Sequence, residues 1–407
     1  MSRREFHFVS GGSSKFWAIN DHGTSFEVTF GKIGTAGTTQ TKSFENAADA
    51  KKAYDKLVQE KTSKGYVEVG SADKKSPSPK SSPGQSEPLN ELYFSTTKTT
   101  EDMENLSTFI GRKVVDYKDA KSIKKGNTHL YRIRTDWEDP VNYLDRLNEF
   151  LDNDVALTVP GLILGNWNAD GTAPGAPIIK GLADRKDRLP MLQALFFGDI
   201  AQEECEVSWI DNGDMSPLLA AFPKLELLRI RGSNHLAFSK PAHANLRALG
   251  IETGGLPREV VSQLSKAKFP NLEYLELWLG TEQYGGTTRV TDLQPILKNT
   301  VFPKLKYLGL RNSEIVDEIA GVIISSPIIE QIEVLDLSLG TLTDEGAKAL
   351  MKLPKTGSLK RLDLHRHFLS NAMIKQLKTL PFTLNVAQQE TPEDWGDGEM
   401  RFVAVGE

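Results

Sequence analysis

From residue 159 onward, apolar residues recur in one pattern: three positions spaced 1, 4 and 6, with polar or small residues between them. The copies are Val159/Leu162/Leu164, Leu192/Leu195/Phe197, Leu225/Leu228/Ile230, Leu246/Leu249/Ile251, Leu272/Leu275/Leu277, Leu305/Leu308/Leu310, Ile332/Leu335/Leu337 and Leu359/Leu362/Leu364. Successive copies start 33, 33, 21, 26, 33, 27 and 27 residues apart. The last two positions of each triplet are two residues apart, so they fall on one face of a strand, whose side chains alternate. Each copy therefore predicts a short strand. The segments between copies read as helix-like returns, Pro257–Lys266, Thr291–Asn299, Ser313–Ser325, Thr343–Leu353 and Asn371–Leu380, with N-cap chemistry at Thr343-Asp-Glu-Gly.

A recurrent L-x-x-L-x-L at this period is the signature of a leucine-rich-repeat solenoid. The predicted class is α/β: a horseshoe whose strands form one parallel sheet and whose helical returns lie on the convex side. Repeats are expected over 156–386. Residues 89–155 are assigned to an N-terminal cap, with a strand over Leu89–Phe94, alternation in Tyr131–Trp137 and a helix over Pro140–Leu151. Residues 387–407 are assigned to a C-terminal cap and tail, with an acidic surface loop at Gln389–Glu399 and a closing strand at Arg401–Val405. The side chains flanking the inward leucines should project from the concave face. They form a mixed-sign stripe of Arg229, Arg231, Glu252, Glu276, Trp278, Arg311, Asp336, Asp363 and His365, which is expected to dock an unidentified protein, because Trp and Arg are enriched at binding hot spots. Glu203-Glu-Cys-Glu-Val-Ser-Trp-Ile210, Gly254-Gly-Leu-Pro257, Leu275-Glu-Leu-Trp-Leu-Gly280 and Leu335-Asp-Leu-Ser-Leu-Gly340 resemble bacterial leucine-rich-repeat proteins of uncharacterised function, over roughly 137–407.

The first 70 residues follow a different rhythm. Glu5–Ser10, Lys15–Asn20, Ser25–Lys32 and Thr38–Phe44 read as strands. In the third, Phe26, Val28 and Phe30 alternate with polar neighbours. Asn46 is placed to cap a helix from Ala47 to about Lys64, with Ala50, Tyr54, Leu57 and Val58 on its apolar stripe and Lys51, Lys52, Lys56 and Lys64 off it. Gly65 can end that helix, and Tyr66–Val69 returns as a strand. Residues 71–88 contain no large apolar side chain and are expected to be a disordered linker. Phe16-Trp17, Phe30-Gly-Lys-Ile-Gly34, Gly37, Thr41-Lys-Ser-Phe44 and Glu60-Lys-Thr-Ser-Lys-Gly-Tyr66 make residues 1–70 resemble the WGR domain of poly(ADP-ribose) polymerases and bacterial proteins, as a separate small α+β domain. The resemblance implies nucleic-acid binding, with DNA at an end or nick as the expected form. Phe30, Gly31 and Lys32 stand where the family has Trp-Gly-Arg. Phe30 retains an aromatic face, and Lys32 retains the charge without the planar fork of arginine. Stacking by Phe30 and phosphate contacts by Lys32, Lys42 and Lys15 follow, while Trp17 reads as core.

Charge sharpens this division. The 407-residue chain has a formal net charge of −5, but residues 1–88 hold 13 Lys/Arg against 10 Asp/Glu and the remainder 36 against 44. Any polyanion site therefore belongs at the N-terminal end. The single cysteine, Cys205, cannot close an internal disulfide, and no apolar run reaches the roughly 18 residues of a membrane span, so a cytoplasmic protein is expected, without membrane contact.

Other constellations read as structural. His365 and His367 with Asp363 would share a strand face but lack further ligands, so no metal is expected. Glu203, Glu204 and Glu206 around Cys205 disfavour a reactive thiolate and are expected to be solvated. Gly31-Lys-Ile-Gly-Thr-Ala-Gly37 lacks the order of a phosphate loop and reads as a hairpin turn. With no nucleophile elbow, no catalytic residues and no cofactor are expected. The expectation is a non-enzymatic adaptor: a nucleic-acid-binding module tethered to a protein-binding repeat surface. The alternative is a pure protein-interaction scaffold whose module does not bind nucleic acid.

Overall fold

The structure is a computed structural model. It describes residues 4–10, 13–32, 38–44, 46, 50–54, 57–58, 61, 67–68 and 103–406, except 125–127, 137–138, 168–172, 355–356 and 395–398. The expected linker at 71–88, the strand at 89–94, Gly65 and most of the Gly31–Gly37 turn lie outside those residues. The chain divides into two compact units, Met1–Gln85 and Ser86–Glu407.

The first unit is a five-stranded antiparallel sheet of β1 (Arg4–Ser10), β2 (Ser13–Asp21), β3 (Ser25–Lys32), β4 (Thr38–Ser43) and β5 (Val67–Glu68), in the order β4-β3-β2-β1-β5. Alternation on β3 buries Phe26 and Val28, which join Phe6, Trp17, Ile19 and Tyr54 in a small core. The helix described over 50–54 and 57–58 presents the expected stripe. Ala50 and Tyr54 are buried, Lys51 and Lys52 are exposed, and the Tyr54 ring meets Phe26 edge-on at 6.1 Å.

The second unit is built on an open twelve-stranded sheet whose strands lie in chain order. They are β6 (Thr108–Phe109), β7 (Arg112–Tyr117), β8 (His129–Ile133), β9 (Gly161–Gly165), β10 (Ala194–Asp199), β11 (Leu227–Arg231), β12 (Ala248–Glu252), β13 (Tyr274–Gly280), β14 (Tyr307–Ser313), β15 (Val334–Asp336), β16 (Arg361–Asp363) and β17 (Thr383–Asn385). All neighbours are parallel except β6 and β7. The triplets stack in register: Leu162, Leu195, Leu228, Leu249, Leu275, Leu308, Leu335 and Leu362 pair across consecutive strands, and each is fully buried. One residue of slip would turn this whole row to the other face, so the row fixes the register. Helices Arg258–Leu264, Val290–Leu297, Val316–Ile323, Asp344–Leu350 and Asn371–Leu377 occupy the expected returns and complete one apolar core with the leucines. Thr343 and Ser370 cap the last two through their hydroxyls.

Two sequence expectations change. The region assigned to an N-terminal cap carries the same sheet: Val115 and Tyr117 of β7 pair with Tyr131 and Ile133 of β8, which pair with Leu162 and Leu164. Tyrosines in place of leucines disguised these copies. The expected closing strand at Arg401–Val405 is not a strand. A short hairpin of β18 (Glu393–Asp394) and β19 (Glu399–Met400) precedes it, and Val403 and Val405 are buried on the large unit.

Candidate functional site

The sites expected from sequence fall one in each unit, and the structure treats them oppositely. In the small unit, Phe30 continues the face of Phe26 and Val28. It is 39 % exposed, whereas Phe26 is 1 %. The register sets Trp17 opposite Phe30 and Lys15 opposite Lys32, one alternation further along the same face. Both lysine positions are thus roughly 7 Å along the strands from the Phe30 row, at about 3.3 Å per residue. Lys42 is exposed but pairs with Phe26, roughly 13 Å along the sheet from Phe30. The structure therefore brings together Phe30, Gly31, Lys32 and Lys15 at one end of the sheet and sets Lys42 apart. Trp17 is buried, as expected, and the Lys61 ammonium lies 5.9 Å from its ring centroid.

In the large unit, the stripe expected to dock a protein is not accessible. Arg229, Arg231, Glu252, Glu276, Trp278, Arg311, Asp336, Asp363 and His365 all lie on the face opposite the leucines, and all are buried, none more than 8 % exposed. The reason is twofold. Other parts of the chain pack over this face: Met103, Val207, Leu339 and Val405 cluster with Trp278, and the carbonyls of Ile200 and Met103 accept from Arg231. The charges also cancel one another, so burial is tolerable. Glu252 pairs with both Arg229 and Arg231, and both guanidinium groups lie over the Phe196 ring at 5.2 and 5.4 Å. Glu276 accepts from Trp278 Nε1 at 2.8 Å, from Arg311 Nη1 at 3.3 Å and from the Tyr274 hydroxyl.

The network continues along the sheet. The Tyr274 and Tyr307 rings stack at 4.0 Å, and the Tyr307 hydroxyl donates to Asp336 at 2.7 Å. Asp363 accepts from His365 Nδ1 at 2.6 Å, from Asn385 at 2.8 Å and from Arg361 at 2.6 Å. Gly309 makes room for this: a side chain there would meet the Tyr307 ring at 3.0 Å and Glu276 at 3.3 Å.

The titration behaviour follows from these contacts. Burial alone would raise Glu276, but Arg311, Arg229 and its hydrogen bonds outweigh burial and hold it below the usual carboxylate range. Burial likewise opposes the depression of Asp363, which its hydrogen bond and ion pair with His365 drive well down. Asp336 goes the other way: burial, with the neighbouring Asp363 charge, raises it despite Arg311.

The remaining constellations resolve as contacts. His365 and His367 do not share a strand face, because β16 ends at Asp363 and Arg366 takes φ +55°. The His367 ring accepts from Leu369 N and approaches the Val386 carbonyl, and burial lowers its pKa. Among the described residues, no group of three or more His, Cys, Asp or Glu is arranged to hold a metal ion. Glu204 is not solvated as expected: it is ion-paired with Arg134 and accepts from the amide of Ala201. Burial, with Glu206 and Glu204, raises the Cys205 thiol. Trp209 is 60 % exposed while Ile210 is buried. No helix among the described residues is long and apolar enough to cross a membrane.

Residues 2–73 match the WGR domain family. Beyond that domain, the chain is similar along nearly its whole length to a protein of Bacteroides fragilis of known crystal structure, with 32 % identity, a TM-score of 0.59, and coverage of 96 % of this chain and 97 % of that one. The chain belongs to the same family as that protein, a family of WGR-containing bacterial proteins. Two Escherichia coli K12 proteins are also similar. Protein YehF is 28 % identical over 209 residues, 51 % of this chain and 60 % of YehF. The uncharacterized protein YfeS is 39 % identical over 66 residues, 16 % of this chain and 27 % of YfeS. The chain thus spans less than two thirds of either Escherichia coli relative.

Proposed function

We propose that the N-terminal domain binds nucleic acid at a duplex end or nick, and that the second unit is a leucine-rich-repeat horseshoe that carries this domain as a non-enzymatic adaptor. The observation behind the first half is the exposure of Phe30 at the end of an otherwise buried row, with the positions of Lys15 and Lys32 beside it. An aromatic face is best used where a duplex ends, since internal bases are already stacked. Lysines there would add salt-sensitive contacts to phosphate that carry no sequence preference. The repeat reading rests on strands in chain order with stacked leucines and helical returns. The buried polar stripe is no part of this proposal.

The test titrates the full chain with blunt, nicked and closed circular DNA at low salt. Tighter binding to the first two is expected. Stacking contributes roughly 1–3 kcal/mol per base, so Phe30→Ala should weaken that binding by about one to two decades. The scaffold reading is favoured by the place of Phe30 on the same face as Phe26 and Val28, as an extension of the core. Absence of binding to all three DNA forms would leave that reading standing.

A further inference from the structure

We infer that the segment Phe402–Gly406 occupies a peptide-binding groove at the C-terminal ends of β12, β14 and β15, beside Trp278, as a displaceable ligand supplied by the chain itself. The groove reads backbone. Asn312, fully buried at the end of β14, receives the Val405 amide on its Oδ1 at 2.9 Å and donates its Nδ2 to the Val405 carbonyl at 2.5 Å. A side-chain amide that both accepts from and donates to the backbone of one residue makes the pair of bonds a neighbouring strand would make. The Ala404 amide donates to the Leu339 carbonyl at 2.8 Å. Val403 and Val405 are buried and Ala404 is half-buried against the same cluster, while Phe402 remains 47 % exposed. Val405 packs on Trp278, Leu339, Met103 and Val207.

Two features mark the site as built for this occupant. Asn312 and Leu339, the residues that read its backbone, both hold left-handed conformations, with φ +50° and +67°. Such geometry is costly for a bulky leucine and collects at ligand clamps. Gly254 is the second feature. A methyl group there would lie 1.8 Å from the Gly406 carbonyl oxygen, and the next two nearest atoms, at 2.8 and 3.5 Å, also belong to Gly406. Nothing else approaches as closely, so this glycine makes room for the tail. The ligand class is a short peptide with small β-branched residues two apart and a glycine following the second. Its departure removes Val405 from the cluster around Trp278.

The experiment has two arms. In the first, a chain ending at Met400 is titrated with a synthetic peptide of residues 401–407. Saturable one-to-one binding is expected, lost at least tenfold in Asn312→Ala, and absent from the full chain, whose groove is filled. A folded shortened chain that ignores the peptide, or a full chain that binds it equally well, overturns the proposal. The second arm keeps the chain whole. Amide exchange in Gly254→Ala should be at least tenfold faster at Ala404 and Val405 and unchanged in β13 and β14. Accelerated exchange throughout those strands would make the tail an inseparable part of the core, and unchanged exchange at Ala404 and Val405 would mean that Gly254 does not seat it. Either result overturns the proposal.

Discussion

The two faces of the large sheet are buried to nearly the same degree by opposite means. On one, Leu275 and Leu308 stack on their neighbours and pack against the helices. On the other, an odd number of residues along the same strands, Glu276, Trp278 and Arg311 are equally hidden, and their contacts are ionic and aromatic. The apolar face is stabilised by removal of hydrocarbon from water, which tolerates many arrangements of similar volume. The polar face tolerates few, because every charge must keep its partner once water is gone.

The largest effect that separates the faces should come from breaking one ion pair. Glu276→Ala removes one acceptor shared by Arg311, Trp278 and the Tyr274 hydroxyl, while Arg311 keeps Ser338 and Asp336. A loss of about 3–5 kcal/mol is expected from removing one partner of a buried pair. Leu308→Ala on the other face should cost about 2–5 kcal/mol, mainly through the cavity it opens. Denaturant unfolding measures both. The faces differ in their response to shape-conserving change: Leu308→Met should cost less than about 1.5 kcal/mol, whereas Glu276→Gln keeps the volume yet loses the charge facing Arg311 and should cost more than Leu308→Met. If the two conservative variants cost the same, the polar face is held by packing alone.

Acid should act on the polar face selectively. Glu276 and Asp363 are depressed in the fold, so the stability they provide is complete above their unfolded values of about 4 and is lost as pH falls toward the folded ones. Asp336 is raised and works against them, regaining stability as it is protonated. His367 is depressed by burial, so the fold resists its protonation and stability begins to fall as pH drops below about 6.5. The unfolding midpoint of the large unit should therefore decline gently below that pH and steeply below about 4.5. In Glu276→Gln the steep phase should shrink. An identical steep phase in that variant would assign acid sensitivity to other groups.

The leucine face was legible because its information is local and repeated. Each triplet carries its own alternation, and eight copies agree with the observed register. The copy at Tyr131 and Ile133 escaped because a tyrosine stands in the leucine row. The polar face was legible as a face but not as an interior. Alternation says that Arg229, Glu276 and Arg311 share a side, and only the covering segments decide whether water reaches it. Those segments, near Met103, Val207 and Val405, are remote in the chain, and nothing in their own pattern says what they cover. Arg231, with its guanidinium on the Ile200 carbonyl, could not be told from a surface arginine by its neighbours in sequence. The small unit was read more completely, because a single strand, Phe26 to Lys32, shows both its core and the point where the core ends.

That end point gives the smallest effect and completes the contrast. Phe30 lies on a core face without being enclosed by it, and a partly exposed side chain contributes in proportion to the area it hides. Phe30→Ala should therefore cost less than Phe26→Ala, whose ring is buried and meets both Phe44 and Tyr54. Removal of a buried phenylalanine costs about 3–5 kcal/mol; the Phe30 ring hides about three fifths of its area and opens no closed cavity, so its variant is expected to lose about 1–2 kcal/mol. Thermal unfolding of the N-terminal unit within the full chain reads the difference. A function for the exposed ring requires this order, since a residue kept for binding has no reason to stabilise the fold. If Phe30→Ala unfolds the domain as readily as Phe26→Ala, its ring is core, and loss of DNA binding in that variant would say nothing about stacking. If the domain stays folded and Lys32→Ala is equally mild, any fall in DNA affinity in either variant belongs to the contact itself.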